Sequence, residues 1–196
     1  MTLEAAALTK VTSAFRPKAY QRVFPLAHIS TPLGTGPGMA RFSSLKGNFN
    51  TLYAAASLAA AVAETIIRDR FEGVTVRRLF TSELAGSCVA PLTATALLDL
   101  VDLRTDGCFQ LGVSTDIASA RGEDDGWAAS RELAQYIHDH TALDGFLYRS
   151  RLTGANCVAV FDRAVASKMT AGTARALPAA RRLADALAAL SVEVIL

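Results

Sequence analysis

The sequence has no hydrophobic run long enough to cross a membrane. Its longest apolar stretch, 52–63, is interrupted by Ser57 and closed by Glu64, whereas a membrane-spanning helix needs about 18 or more consecutive apolar residues. The first ten residues include an acid and lack the basic start and apolar core of a secretory signal. We therefore expect a soluble protein of the cytoplasm with no membrane partner.

Cysteines are few and net charge is small. The three cysteines, Cys88, Cys108 and Cys157, form no short Cys pair, so neither a disulfide framework nor a zinc site is indicated. Lys and Arg number 20 against 18 Asp and Glu, which leaves a formal charge of +2. No run of Lys or Arg forms the footprint of a nucleic-acid-binding surface. We expect reduced cysteines, no metal site and no direct contact with nucleic acid.

The length favours one domain with extensions. At about 150 residues per domain, 196 residues are too few for two large domains, and a hydrophobic fraction of 51% supplies a sizeable core. Strand and helix patterns follow one another irregularly, which favours an α+β fold over a strict strand-helix alternation. We predict a single compact domain over 1–196. Its core spans about 20–162, and a C-terminal helix and tail, 163–196, pack on it.

Local patterns predict the elements of this fold. The predicted strands are Tyr20–Pro25, 51–53, 74–80, 94–100, 145–150 and Asn156–Phe161. The predicted helices run from Ser57 as N-cap to about Arg70, over 127–140, and over 178–190 with Leu183, Leu187 and Leu190 on one stripe. The Pro/Gly-rich stretch 31–39 predicts a loop. The polar, Ser/Gly-rich stretch 112–126 predicts a mobile loop over a site.

Glu64 has two interpretations. The predicted helix buries a stripe formed by Leu58, Val62 and Ile66, and Glu64 points away from that stripe. It can be an exposed carboxylate paired with Arg68 at i,i+4, which stabilises a helix by about 0.2–0.5 kcal/mol. Alternatively, the small alanines around it leave room for a ligand to approach the carboxylate. The spacing alone does not decide between them.

Four further residues are candidates for a site. Arg22 and Arg41 lie in apolar neighbourhoods, where a guanidinium needs an anionic partner or hydrogen bonds. A structural ion pair or an edge-strand position would satisfy each of them. Tyr53, in a buried strand, is typical of a core residue, and Ser150, between two arginines, is typical of a surface hydroxyl. Taken singly, none of the four indicates a function.

Taken together and in order, these residues resemble the RES domain, a family named for its Arg, Glu and Ser. The most specific piece joins an Arg-Phe, a Leu-Tyr-x-Ala and an Ala-x-x-Glu, and an Asp-Gly-x-x-Tyr-x-Ser piece supports it independently. The resemblance covers roughly 20–162. The matching segments are YQRVF at 20–24, ARF at 40–42, LYAAASLAAAVAET at 52–65, ASRELAQYIHDHTALDGFLYRSR at 129–151 and NCVAVF at 156–161.

The resemblance implies an α+β fold related to the ADP-ribosyltransferases, with a mixed sheet and flanking helices. It also implies a bacterial toxin that destroys NAD+ and is inhibited by a separate antitoxin. The catalytic residues would be Glu64, Arg41 and Ser150, and the NAD+-binding residues Arg22, Arg41, Tyr53 and Ser150. No metal and no resident cofactor is implied, because NAD+ is the substrate and inorganic phosphate can be a co-substrate. The implied partners are NAD+ and the antitoxin, and the apolar tail allows a homodimer.

The chemistry of NAD+ cleavage fits these residue types. Nicotinamide leaves as a neutral group while positive charge develops on the ribose, so a carboxylate beside that ring would stabilise the transition state. The two arginines would hold phosphates through forked donors. Tyr53 would stack on the nicotinamide ring, and Ser150 would donate a hydrogen bond to a ribose or phosphate oxygen. Two alternatives stay open: transfer of ADP-ribose to one target protein, and a non-catalytic binding module in which Glu64 merely pairs with Arg68.

Overall fold

A computed structural model describes residues 1–68, 70–71, 73–119 and 127–196. A mixed β-sheet forms its centre and helices pack on it, so the predicted α+β fold is confirmed. The predicted loop 112–126 lies partly outside the described residues, and its described part contains a short 3-10 helix, Thr115–Ala118. No helix in the described part of the chain is both long and apolar enough to span a bilayer.

The elements follow in chain order. The strands are β1 (Thr12–Phe15), β2 (Tyr20–Pro25), β3 (Thr51–Ala55), β4 (Arg77–Phe80), β5 (Ser87–Ala94), β6 (Leu98–Asp102), β7 (Gly145–Arg149), β8 (Asn156–Phe161), β9 (Met169–Ala171), β10 (Arg175–Ala176) and β11 (Val192–Ile195). The helices are α1 (Ala5–Val11), α2 (Leu58–Val62), α3 (Thr81–Ala85), α4 (Gly107–Gln110), α5 (Ala128–His140), α6 (Asp162–Lys168) and α7 (Leu183–Ala189). A π-helix, Ala63–Ile67, continues α2 directly.

The main sheet has the order β1-β6-β7-β8-β3-β2-β5-β10, and β9 also pairs with β5. The pair β6–β7 is parallel and the other pairs of this sheet are antiparallel. β4 and β11 form a separate parallel pair. Within the main sheet, β2 pairs along its whole length with β5, but with β3 only at Gln21 and Ala55. The sheet is therefore open between β2 and β3 beyond this point.

Both faces of the sheet are covered by apolar residues. One face carries Phe146 and Phe161, which pack with Leu133 and Ile137 of α5. The other face is rich in leucine and valine, and α6 packs on it through Val165. The C-terminal stripe behaves as predicted, because Leu183, Leu187 and Leu190 are all buried. On both faces of the sheet these apolar side chains are removed from water, and their burial stabilises the sheet.

The helix that carries Glu64 differs from the prediction. Ser57 caps it as expected, since its side chain accepts a hydrogen bond from the Ala60 backbone N–H at 3.1 Å. The α-helix ends at Val62, however, and the π-helix ends at Ile67, followed by Arg68 with a φ of +45°. The backbone N–H of Arg68 donates to the Ala63 carbonyl at 2.7 Å, which is the i→i+5 bond of a π-turn. The prediction of an α-helix to about Arg70 was therefore wrong.

Two predicted strands were also misplaced. The predicted strand 94–100 spans the bend between β5 and β6, where the Arg16 side chain donates hydrogen bonds to the carbonyls of Ala94 and Thr95. The predicted strand 74–80 begins only at Arg77, where its partner β11 begins. Tyr20–Pro25 and Asn156–Phe161 have the predicted bounds, and 145–150 is one residue shorter. The helix predicted over 178–190 begins at Leu183.

Candidate active site

A cavity of about 260 Å³ lies beside the opening between β2 and β3. Four of the five predicted site residues line it: Arg22, Arg41, Tyr53 and Glu64. The fifth, Ser150, contacts the Glu64 side chain. The other lining residues are Gln21, Val23, Ala40, Ala54, Ala55, Ala61, Thr65, Arg68, Trp127, Tyr148, Arg151, Leu152 and Cys157. The fold therefore gathers all five predicted residues at one place.

Ser150 orients the carboxylate of Glu64. Its hydroxyl donates a hydrogen bond to Glu64 Oε1 at 2.7 Å. Its own backbone is fixed, because its N–H donates to the Ala155 carbonyl at 2.8 Å and its carbonyl accepts from the Gly154 N–H at 2.8 Å. Ser150 is only 2% exposed, so its interpretation as a surface hydroxyl was wrong. The serine holds the half-buried carboxylate at the cavity wall.

The surface ion pair between Glu64 and Arg68 is not present. Arg68 Nε donates to the backbone carbonyl of Glu64 at 3.2 Å rather than to its carboxylate. Ala60 and Ala61, which the helical wheel placed beside Glu64, are both buried. Ala61 also lines the cavity, so a small side chain does leave space beside the carboxylate. Of the two interpretations of Glu64, the structure agrees with the one that leaves room for a ligand.

Phe42 anchors the segment that carries Arg41. It is completely buried, with its ring stacked on Phe146 at 4.4 Å and edge-on to Tyr148 at 5.4 Å between centroids. Its backbone N–H donates to the Tyr53 hydroxyl at 2.9 Å. The Arg41 guanidinium lies over the Tyr148 ring, 5.6 Å from the centroid. These contacts hold Arg41 at the cavity, and they give the Tyr53 hydroxyl a structural role that spacing did not predict.

The two phenols and the thiol that line the cavity, those of Tyr53, Tyr148 and Cys157, are neutral. Burial raises the pKa of Tyr53 to about 12, against smaller opposing effects of the Phe42 N–H and the nearby arginines. Burial likewise raises the pKa of Tyr148 well above its usual value, and burial with the nearby Glu64 raises the pKa of Cys157 to about 12. Both phenols and the thiol are therefore protonated at neutral pH. Cys157 is a buried thiol without thiolate character, which does not suit a nucleophile.

Arg22 satisfies its guanidinium with backbone carbonyls. Nη1 donates to Pro32 at 2.7 Å and Nη2 donates to Gly34 at 2.8 Å, while the guanidinium lies 5.1 Å from the Phe24 ring centroid. Burial lowers the pKa of Arg22 from its usual value. Arg22 thereby fastens the predicted loop 31–39 to β2, and it still lines the cavity. The sequence left open an anionic partner or hydrogen bonds, and the structure contains the hydrogen bonds.

The cavity is more cationic than the sequence argument suggested. Within the described residues, four arginines line it, against the single carboxylate of Glu64. Arg68 and Arg151 were absent from the predicted site, as were Tyr148 and Trp127. A cleft with an excess of one charge attracts ligands of the opposite charge. The arrangement suits an anionic ligand that places one electron-poor group next to Glu64.

Comparison with known proteins agrees with this fold. The cavity of this α+β fold is lined by Arg22, Arg41 and Glu64, and Ser150 contacts Glu64. These are the Arg, Glu and Ser residues on which the resemblance in the sequence depends. The chain belongs to the RES domain family, whose model matches residues 14–181, so the predicted family is confirmed.

Two relatives are informative. The chain is similar to "Probable toxin y4kH" of Sinorhizobium fredii (strain NBRC 101917 / NGR234), with 34% identity over 96 residues, 49% of this chain and 73% of that protein. The fold is similar to a chain in the crystal structure of the M. tuberculosis MbcT-MbcA toxin-antitoxin complex, with a TM-score of 0.64 at 14% identity. That likeness covers 88% of this chain and 92% of that chain.

Proposed function

We propose that this protein is the toxin of a toxin-antitoxin pair and that it cleaves the bond between nicotinamide and ribose in NAD+. The observation that carries the proposal is a single carboxylate, Glu64, held by Ser150 at the wall of an arginine-lined cavity. Membership of the RES domain family supports it. So do the names of a similar probable toxin and of a structurally similar toxin-antitoxin complex.

The site residues have defined roles in this reaction. The bond between ribose C1′ and the pyridine nitrogen breaks, its electron pair stays on that nitrogen, and neutral nicotinamide leaves without an acid. Positive charge develops on the ribose, and the Glu64 carboxylate stabilises it. Arg41 pairs with phosphate oxygens, and Arg22 holds the loop 31–39 at the cavity wall. Ser150 acts through Glu64, because its hydroxyl donates its hydrogen bond to the carboxylate.

The acceptor completes the reaction. Water attacking C1′ gives ADP-ribose and releases a proton, whereas inorganic phosphate gives ADP-ribose phosphate. A side chain of a target protein would give a modified protein from the same cavity. The non-catalytic alternative required Glu64 to pair with Arg68, and Arg68 instead binds the backbone carbonyl of Glu64.

Product analysis tests the proposal directly. Purified protein is incubated with NAD+, with and without phosphate, and the products are identified by chromatography and mass spectrometry. We expect free nicotinamide in equal amount to ADP-ribose or its phosphate. Label from adenine-labelled NAD+ appearing on a protein of a cell extract would favour the transferase. Intact NAD+ after prolonged incubation would contradict the proposal.

Glu64→Gln tests the carboxylate itself. It keeps the shape and the acceptor for Ser150 but removes the charge that faces the developing cation. We expect kcat to fall about 100-fold or more, roughly 3 kcal/mol, with a smaller change in KM because the ground-state ribose is neutral. The matched control is Glu132→Gln, an exposed glutamate outside the cavity wall. A Glu64→Gln enzyme that retains more than about half of the wild-type kcat would exclude this role.

A further inference from the structure

Trp127 lines the cavity, and the roles proposed above do not use it. It is the only tryptophan of the sequence, it is half-buried, and it lies immediately before α5. The guanidinium of Arg68, from the end of the π-helix, lies 5.4 Å from the centroid of the indole ring. Two distant segments thus bring a large aromatic surface and a cation together at the cavity.

Arg68 is unusual in its backbone and in its contacts. A φ of +45° is rare for a residue other than glycine, and such strain is typical of ligand-binding sites. Its Nε donates to the neutral carbonyl of Glu64. Among the described residues, no carboxylate forms an ion pair with it. In the described structure the Arg68 side chain thus contacts a neutral carbonyl and an aromatic ring at the cavity wall.

The cavity is small relative to a whole NAD+ molecule. A cavity of about 260 Å³ lies at the small end of sites for drug-sized ligands, about 300–1,000 Å³. It can enclose one half of a dinucleotide. If Glu64 faces the ribose that bears nicotinamide, the other half has to contact further wall residues.

Charge decides which half meets Arg68 and Trp127. The nicotinamide ring of NAD+ is a cation, which the Arg68 guanidinium repels. Adenine is neutral and stacks on aromatic side chains, and its nucleotide carries an anionic phosphate that a guanidinium binds.

Resting on the proposed function, we propose that Trp127 and Arg68 bind the adenylate half of NAD+. The indole stacks on the adenine ring, and the guanidinium pairs with a phosphate. The two residues thereby select an adenine dinucleotide over a nicotinamide mononucleotide.

The single tryptophan reports on this directly. The Glu64→Gln variant is titrated with ADP-ribose and with nicotinamide mononucleotide, and indole fluorescence is excited at the red edge, where neither nucleotide absorbs. We expect saturable quenching by ADP-ribose along the binding curve measured by calorimetry, and no more than slight quenching by the mononucleotide. This arm needs no change at Trp127.

Substitution provides the second arm. In the same Glu64→Gln background, Trp127→Leu should raise the Kd for ADP-ribose about tenfold, because one base stack is lost. The Kd for nicotinamide mononucleotide should stay within about twofold. Trp127→Phe keeps an aromatic face and should restore most of the affinity. The matched control is Phe109→Leu, at an aromatic residue that is 75% exposed and outside the cavity wall.

The outcomes separate this inference from the proposed function. An ADP-ribose Kd unchanged by Trp127→Leu, or weakening confined to the mononucleotide, overturns the adenylate site while cleavage of NAD+ by the wild type stands. Absence of ADP-ribose binding to the Glu64→Gln variant overturns it as well. Failure of the wild type to cleave NAD+ instead contradicts the proposed function.

Discussion

At the scale of single residues, the hydrogen bond from Ser150 to Glu64 joins two segments that are far apart in sequence. A serine that is 2% exposed has no solvent to satisfy its hydroxyl, so the carboxylate is its partner. The arrangement explains why a serine accompanies the glutamate: the hydroxyl fixes the direction of the charge without neutralising it. Ser150 is thus a positioning residue for Glu64.

Ser150→Ala should lower kcat about tenfold and leave KM almost unchanged, because the carboxylate loses the donor that orients it, a loss of about 1.5 kcal/mol. Steady-state kinetics on NAD+ measures this. The matched control is Ser130→Ala, which removes another fully buried hydroxyl whose hydrogen bond, at 2.8 Å, goes to the Ile117 carbonyl outside the cavity wall. Equal kinetic losses in both variants would show that Ser150 matters only for stability.

At the scale of elements, helix α5 holds the loop that follows Arg41. Gln135 accepts hydrogen bonds from the N–H groups of Leu45 and Lys46 at 3.0 and 3.1 Å. It donates to Asp139, which also binds the Lys46 ammonium at 2.6 Å. The hydrogen bond from Lys46, followed by those from Gln135 and Asn48, holds the pKa of the Asp139 carboxyl well below its usual value.

This pKa predicts an acid-sensitive loop. Because the folded state favours the Asp139 carboxylate, its stabilising effect is complete at neutral pH and is lost as the pH falls below the ordinary aspartate pKa of about 3.9. Asp139→Asn should lower the melting temperature at neutral pH, and the difference from wild type should shrink in acid. Thermal unfolding followed by circular dichroism at several pH values measures it.

The control for this experiment is Asp185→Asn, at a residue whose partner Arg182 is exposed. It removes a carboxylate outside the Gln135 network and should lower the melting temperature less at neutral pH. A difference between wild type and Asp139→Asn that stays constant from neutral pH into acid would contradict the role assigned to this network.

At the scale of the whole molecule, the opening between β2 and β3 creates the cavity. β2 is held by β5 and β3 by β8, so both strands remain in one sheet although they pair with each other at a single point. Arg22 on β2, Tyr53 on β3 and Glu64 beyond α2 can then face the same space. The cavity depends on the order of the strands, not on any one of them.

A whole-cell prediction follows from the proposed function. Expression of the chain alone in bacteria should arrest growth and deplete cellular NAD+, because the proposed reaction consumes a shared cofactor. Co-expression with its antitoxin, or the Glu64→Gln substitution, should restore growth. Cell density and NAD+ content after induction measure both effects. Normal growth with abundant wild-type protein and undiminished NAD+ would favour a binding module.

The sequence by itself determined the features that depend on local residue patterns: strand bounds, the buried face of a helix and the family motif. β2 and β8 have their predicted bounds because alternating or continuous apolar runs bury a strand. The leucine stripe of α7 is buried because helical spacing places it on one face. The ordered motif of Arg, Glu and Ser identified the family, and the five residues it selected meet at one place.

Tertiary structure decided the environment of those residues. A helical wheel assumes 3.6 residues per turn, and the π-turn after Val62 breaks that assumption at Glu64. No spacing rule relates Ser150 to Glu64, or Trp127 to Arg68, because these pairs are joined only by the packing of separate elements. Burial, hydrogen bonding and pKa depend on neighbours in space, so they became visible only when the sheet had brought the segments together.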